Sequence, residues 1–472
     1  MARWREHLAA TARFETTAEQ ANAASDVPAG DGGGLLAADF SETPYWWDDA
    51  PAPVLPAGEP ARVVDVAIVG SGYTGLNAAL ETARAGRSTL VVDAEQAGWG
   101  CSTRNGGQIS TSVKPMAEDL ASRYGAERAR AIHGEGRTAL EWIEELVRRE
   151  GIECDFQRKG RYHAAHTPDQ FTALASRIEA QRREGIEAHM VPRAEQRSEL
   201  GTDTYHGGVV YPRHAALHPA KYHTGLLKQV IAAGAQVVPY CPVLSIERNG
   251  SGFELQTPSG AITARDVVVA TNGYSGALLP WLRRRIIPIG SYIIATEPLP
   301  PGVMDRLFPT DRIASDTCRV VYYYRASPDR RRVLFGGRVS ARESEPRVSA
   351  PRLHADMCRI FPELSATRVS HSWSGTVAYS FDSLAHCGIH DGIHYAASYC
   401  GSGVSMASYL GMRTGQRVLG LKEGRTAFDD LPFPTRPLYS GTPWFLPTVV
   451  AWYRWRDQRE CARAANLREG VG

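Results

Sequence analysis

Apolar positions along this chain follow two rhythms. The run VVDVAIVG, residues 63–70, is almost continuously apolar and rich in Val, as a parallel strand buried on both faces requires. The next segment, SGYTGLNAALETARAG, sets Leu76, Ala79, Leu80 and Ala83 on one helical face and stops at Gly86. STLVVDA is a second strand, and together these form a β-α-β unit. Residues 117–150 read as helix, with a stripe of Leu140, Ile143, Leu146 and Val147 and expected breaks near Gly125 and Gly134–Gly136. RYHAAH is a strand, 168–184 a helix, GGVVYP a strand, and HPAKYHTGLLKQVIAAG a helix with Pro219 near its start. Four strands then follow in quick succession, ending in DVVVATNGY. Residues 286–338 are β-rich. GIHYAASYCGSGVSMASYLGMRTGQRVLG returns to strand, Gly-rich turn and helix.

This order predicts interleaved domains. The expected fold is α/β: a Rossmann-like nucleotide domain from 41–115, 205–290 and 371–425, and an α+β substrate domain on a β-rich sheet from 116–204 and 291–370. Residues 1–40 read as a flexible extension, and 426–472 as a tail packing on the body. Within 45–47, Tyr45, Trp46 and Trp47 read as an arm whose rings pack on the body.

Charge adds little. The 53 basic and 51 acidic side chains nearly cancel, which argues against a nucleic-acid partner. The short basic run Arg283–Arg285 reads as a solvated turn. Eight cysteines lack a C-x-x-C pair, so neither a zinc site nor a dithiol motif is expected, and reduced thiols in a cytosolic enzyme fit better. No metal site is expected. The opening MARWREHLAATARFETTAEQ has no apolar signal core, and no stretch is long and apolar enough to span a bilayer. The expectation is a soluble cytoplasmic protein. The sequence does not bear on its oligomeric state.

GSGYTG places Gly70, Gly72 and Gly75 in G-x-G-x-x-G spacing between a buried strand and a helix. Asp93 ends the next strand, where an acid accepts hydrogen bonds from a ribose. The helix N-terminus carries about half a positive charge toward a pyrophosphate. This fits NAD or FAD. Two later features favour FAD: DVVVATNGY resembles the second dinucleotide-contacting strand of two-domain flavoproteins, and GIHYAASYCGSG resembles the late strand and Gly-rich turn that lead a helix N-terminus to the flavin ring, where its dipole stabilises the negative charge of the reduced form.

From about Val63 to Leu419 the chain resembles the FAD-dependent oxidoreductases of the D-amino-acid oxidase superfamily, most closely the γ-glutamylputrescine oxidase-like branch. GSGYTGL, VVDAEQAGWG, STRNGGQ, HPAKY, ATNGY, YIIATEPL, LFGGR and FDSLAHCG carry the resemblance, with a similar tail. It implies an FAD-binding enzyme that oxidises a C–N bond to an imine and passes electrons to O2, giving H2O2. The substrate is an amine, with polyamines and γ-glutamyl-amines as candidates. The alternatives are a dehydrogenase using a quinone or carrier protein, and a flavin-binding protein without catalysis.

The resemblance carries cofactor contacts onto Gly70, Gly72, Tyr73, Thr74, Gly75, Asp93, Ser102, Thr103, Arg104, Asn105, Gly106, Gly107, Gln108, Val243, Thr271, Gly401, Ser402, Gly403 and Val404. GWGCSTRNGGQ, residues 98–108, is expected to wrap the cofactor, with Ser102, Thr103 and Arg104 donating to its pyrophosphate. Sarcosine-type relatives have a Lys where this chain has Ser405, and a His at Ser402. A carboxylate next to the reacting carbon would therefore need another cation, for which Arg325 is a candidate, and an amine with a remote carboxylate fits better. Tyr322 and Tyr324 share one strand face opposite Tyr323, and with Trp373 and Tyr399 are substrate-pocket candidates. His371, His386 and His394 read as structural. Lys114 reads as solvated or as a flavin-side lysine, and Cys101 as a small residue beside non-covalent FAD.

Overall fold

The computed structural model describes residues 34–469 apart from 56–57, 112, 184 and 339–344. The expected extension over 1–33 lies outside the described residues.

Two large sheets organise the chain. The centre of the first is parallel, running Gln236–Val238, Thr89–Val92, Val63–Val69, Gly260–Val269, with Ile393–Ala397 alongside the end of Gly260–Val269. Val66 and Ile68 face one core, lined by the helices Tyr73–Arg84, Ala126–Arg149 and Gly403–Val418. Ala67 and Val69 face another, with Leu90, Val267 and Val269. Burial on both faces explains the unbroken apolar runs, each large aliphatic side chain contributing roughly 1.5–3 kcal/mol.

The second sheet has nine strands in the order Leu36–Ser41, Val369–Tyr379, Ile287–Thr296, Val333–Gly337, Tyr323–Ala326, Ile313–Asp316, Arg161–Ala164, Gly208–Tyr211, His189–Val191. One face packs on the helix Pro346–Ile360 through Tyr292, Tyr324, Phe335, Leu353 and Met357. The other face roofs the glycine turns of the first sheet.

This order moves several expected boundaries. Leu36–Ser41 is not part of a flexible extension: it pairs parallel with Val369–Tyr379, and Leu36 and Phe40 pack against the core. Gly208–Tyr211, Ile287–Gly290 and His371–Tyr379 were expected in the nucleotide domain and instead belong to the nine-stranded sheet. Long strands run on past the point where a sequence segment switches domain. The predicted break at Gly125 is present, with φ +84°. There is no break at Gly134–Gly136, because Gly136 lets the helix lie against the Thr111 carbonyl, 2.3 Å from where a Cβ would sit.

The tail forms the helix Leu446–Glu469, with Leu446 and Val450 packed on Val320. Arg319 donates to Asp457 at 2.7 Å and to Glu460 at 2.7 Å. Among the described residues, His166, Asp457 and Glu460 converge as a metal site would, but the Arg319 guanidinium already neutralises both acids.

Candidate active site

The first glycine turn is built as its spacing predicts. Gly70 leaves its strand at φ +107°, and a Cβ there would meet the Ala270 carbonyl at 3.0 Å. A Cβ on Gly75 would lie 1.9 Å from the Gly70 carbonyl oxygen, so only glycine lets helix and strand approach this closely. The Ser71 N–H and hydroxyl donate to Asp93 at 2.7 and 2.6 Å, fixing the acid at the strand end. Cys241 donates its N–H to the Asp93 carbonyl at 2.7 Å, bringing Val243 to the same edge. Thr271 follows Ala270, whose N–H bonds the Val69 carbonyl at 2.9 Å. Gly70, Asp93, Val243 and Thr271 thus gather where parallel strands end, the usual ligand position in such sheets.

The segment 98–108 wraps this turn. Cys101–Arg104 is a single helical turn, and the Ser102 hydroxyl accepts from the Tyr73 N–H at 3.0 Å, at the N-terminus of Tyr73–Arg84. Of the three residues expected to donate to pyrophosphate, Ser102 lies at this helix N-terminus. Thr103 donates to the Gly98 carbonyl at 2.7 Å and accepts from the Trp47 indole at 3.0 Å. Arg104 lies between the Trp47 and Trp99 rings, 4.9 and 4.8 Å from their centres, and donates to the Trp99 carbonyl at 2.7 Å. Thr103 and Arg104 shape the wrap because their polar atoms already bond backbone and indole. Asn105 closes it, accepting from Gly107 N–H at 2.8 Å, while the Trp46 and Trp373 indoles donate to the carbonyls of Asn105 and Arg104, each at 2.8 Å. Gly107 has φ +65°, and its Cβ would fall 2.2 Å from the Leu217 carbonyl oxygen. Gln108 donates to the Tyr324 carbonyl at 3.2 Å and accepts from Arg161 at 3.3 Å.

A second helix N-terminus points into the same volume. Ser398, Cys400 and Gly401 take φ of +63°, +51° and +92° on the way into Gly403–Val418. Two non-glycine residues held in this region mark a strained turn. Gly411 and Gly415 bring this helix against Tyr73–Arg84, their Cβ positions 2.4 and 2.8 Å from the Thr74 and Ala78 carbonyl oxygens. Tyr399 bonds Thr74 at 2.6 Å between the two helices. A Cβ on Gly403 would touch nothing, so the mouth of the helix is open. The buried Ser398 hydroxyl has no partner. Two helix N-termini, a fixed acid at a strand end, a glycine cradle and an unpartnered hydroxyl fit FAD; Gly70–Gly75 and Ser102 would hold its pyrophosphate, Asp93 and Val243 its adenosine, and Gly401–Val404 its ring system.

The roof face of the nine-stranded sheet corrects the aromatic candidates. Tyr322 and Tyr324 do share a face, but both stack on Phe335 in the core on the far side, with ring centres 5.5 Å away. Trp373 is fully buried holding the wrap, and Tyr399 lies between helices. Tyr323, set aside by the same alternation, is the ring that reaches the wrap, 3.1 Å from the Cβ position of Gly106, with its hydroxyl 2.8 Å from Ser291. Tyr379 joins it on this face, 3.4 Å from the Cβ position of Gly401, its phenol pushed up to about 12 by burial. Period-two patterning separates the faces without saying which one meets the cofactor domain. The pair Gly336–Gly337 was the available signal: a Cβ at Gly336 would lie 2.2 Å from the Tyr323 ring.

Arg325 is not a free clamp. It is buried and donates to the carbonyls of Gly107 and Leu217 at 3.2 and 3.0 Å. Lys114 reaches the site instead, its Nζ 3.9 Å from the Cβ position of Gly401. Lys114 is exposed along part of its length, yet burial around its amine and the charge of Arg161 lower its pKa. His371 pairs with Asp48 and His386 with Asp382, while burial depresses His394 to about 4. These are structural roles. Burial pushes the Cys101 thiol up to about 11, so it stays protonated.

The family model for FAD-dependent oxidoreductases (DAO) matches residues 65–417. A probable oxidoreductase, OrdL, from Rhizobium meliloti (strain 1021) is 31% identical over 88% of this chain and 97% of its own. The gamma-glutamylputrescine oxidoreductase of Escherichia coli (strain K12) is 29% identical over 84% and 93%. Among solved structures, glycine oxidase from Geobacillus kaustophilus superposes with a TM-score of 0.65 at 20% identity, covering 80% of this chain and 99% of that one. No helix among the described residues is long and apolar enough to cross a membrane. With the glycine cradle, the fixed acid and the second helix N-terminus in place, the chain belongs to the DAO family of FAD-dependent oxidoreductases.

Proposed function

We propose that the protein is an amine oxidase, converting a C–N bond to an imine with O2 as the final acceptor and H2O2 as product. The substrate is an amine of the polyamine or γ-glutamyl-amine class. Bound FAD supplies the two-electron acceptor.

The observation that carries this reading is the open turn at Gly401–Gly403 beside Tyr379, on the sheet face that also carries Tyr323 and Ser291. Removing a hydride from carbon asks the protein for position and dryness more than for an acid–base relay. The tyrosines supply both. Their raised pKa keeps the phenols protonated at neutral pH, so they donate hydrogen bonds and leave no anion to hold the amine as ammonium. Desolvation under the roof lowers the pKa of the bound amine, which leaves its nitrogen lone pair available. The N-terminus of Gly403–Val418 favours negative charge as electrons arrive. The protonated Cys101 thiol supports non-covalent FAD.

The test is anaerobic mixing of the holoenzyme with mono-amines, diamines and γ-glutamyl-amines, followed by air. Bleaching of the flavin and stoichiometric H2O2 are expected. Bleaching followed by turnover only with an artificial acceptor would replace the oxidase with a dehydrogenase. No bleaching by any amine would remove the catalytic reading.

A further inference from the structure

The roof face has an asymmetry of charge that the oxidation itself does not use. Its strands place Arg161, His163, Tyr211, Ser315, Tyr323, Arg325 and Tyr379 on one side by register. Asp39 of the edge strand Leu36–Ser41 acts on His371 at the far end of the sheet, and the two strands flanking Arg161–Ala164 add no Asp or Glu to this side. The acid of these strands, Asp316, lies on the other face with Tyr205 at 3.3 Å. Arg325 is occupied by carbonyls. His163 bonds Ser315 at 2.9 Å, and burial and Arg161 hold it neutral, at about 3.

Arg161 and Lys114 remain. Arg161 gives one N–H to the Gln108 amide oxygen at 3.3 Å, and its Nε is buried without a partner. Lys114 comes from the chain just past the wrap and ends beside Gly401. The charge of Arg161 lowers the proton affinity of Lys114, burial lowers that of Arg161, and no carboxylate offsets either. Two cations facing one site without an acid are unfavourable until an anion arrives. Gln108 ties Arg161 to the cofactor wrap, so the pair has a fixed place relative to the reacting centre.

We propose that Lys114 and Arg161 form a carboxylate-binding pair beside the Gly401 turn, which selects amines carrying a carboxylate remote from the oxidised carbon. This rests on the amine-oxidase reading for the reaction, but not for the binding. Arg161 supplies the planar donor fork and Lys114 the mobile point charge. The same pair repels a plain polyamine, whose charges are all positive. Of the two substrate classes above, the pair therefore favours the γ-glutamyl-amine type.

Calorimetric titration of the FAD-loaded enzyme with butyrate, and with its neutral isostere butyramide, tests the pair directly. Butyrate is expected to bind and butyramide to bind at least about tenfold more weakly, the size of one charge-assisted hydrogen bond. Lys114→Met should weaken butyrate by a similar factor and Lys114→Arg should restore it. Arg161→Gln should weaken it as well, but Lys114 is solvent-accessible and its variant does not depend on core packing. Butyrate that binds wild type and Lys114→Met equally, or binds neither, overturns the pair. So does a Lys114→Met enzyme that loses FAD while its remaining holoenzyme keeps full butyrate affinity, since that assigns the lysine to the cofactor. If butyrate binding behaves as expected but no amine bleaches the flavin, the pair stands and the oxidase reading falls.

Discussion

Asp316 shows how one residue sets a condition on the whole. It is buried, accepts from the N–H groups of Cys318 and Tyr322 at 3.3 and 3.2 Å, and burial raises its pKa to about 7. Its folded-state pKa is above the unfolded value of about 3.9, so between these values the folded protein binds a proton that the unfolded chain releases. Stability therefore falls as pH rises from about 4 toward 7 and then levels off. Asp316→Asn keeps an acceptor for both N–H groups and cannot ionise. It is expected to raise the melting temperature of the holoenzyme at pH 8 by several degrees and much less at pH 5, as roughly 1–3 kcal/mol would. Equal shifts at both pH values would contradict the assignment. The sequence offered no warning of this acid, because its burial depends on Ala164 and Tyr205, each more than 100 positions away in the chain.

At the scale of elements, the wrap and the glycine helix form one unit. A Cβ on Gly72 would sit 2.8 Å from the Ser102 hydroxyl that caps Tyr73. Gly72→Val is expected to displace that hydroxyl and cut FAD retained on purification by at least about tenfold, read as flavin absorbance per chain. A fully yellow variant would count against this placement of the pyrophosphate. The G-x-G-x-x-G spacing, Asp93 and the late glycine turn were legible because each solves a local problem: a tight turn, a fixed acid, a helix mouth. The wrap was legible as a wrap, but the division of labour inside it was not. Trp46 and Trp47 reach Thr103, Arg104 and Asn105 from an earlier part of the chain, and their contacts, with that of Trp99 inside the wrap, decide that Arg104 braces the loop. The tyrosine triplet failed for a related reason. Alternation assigned Tyr323 a face opposite to Tyr322 and Tyr324, but which face meets the cofactor domain is a property of sheet packing.

The whole molecule is held together by segments that cross between its layers. The C-terminal helix is one, docked by Val320 and the Arg319 pairs with Asp457 and Glu460. Arg319→Met leaves two largely enclosed carboxylates facing each other and His166. It is expected to cost about 3 kcal/mol, measured by denaturant midpoint. A change below about 0.5 kcal/mol would mean that the helix docks through its apolar contacts alone. Sequence order exposed the interleaving of the two sheets, though not the strands that extend across its seams.

That interleaving has a consequence for how the enzyme is made. The glycine turn at Gly70 is synthesised early, but its sheet needs Gln236–Val238, Gly260–Val269 and Ile393–Ala397, and the open helix mouth begins only at Gly403 of 472 residues. The roof likewise waits for Val369–Tyr379. A growing chain on the ribosome therefore carries the early half of a nucleotide site for most of its synthesis without a surface to close it. The flavin site is therefore complete only once Val369–Tyr379 and Gly403–Val418 have joined the earlier strands.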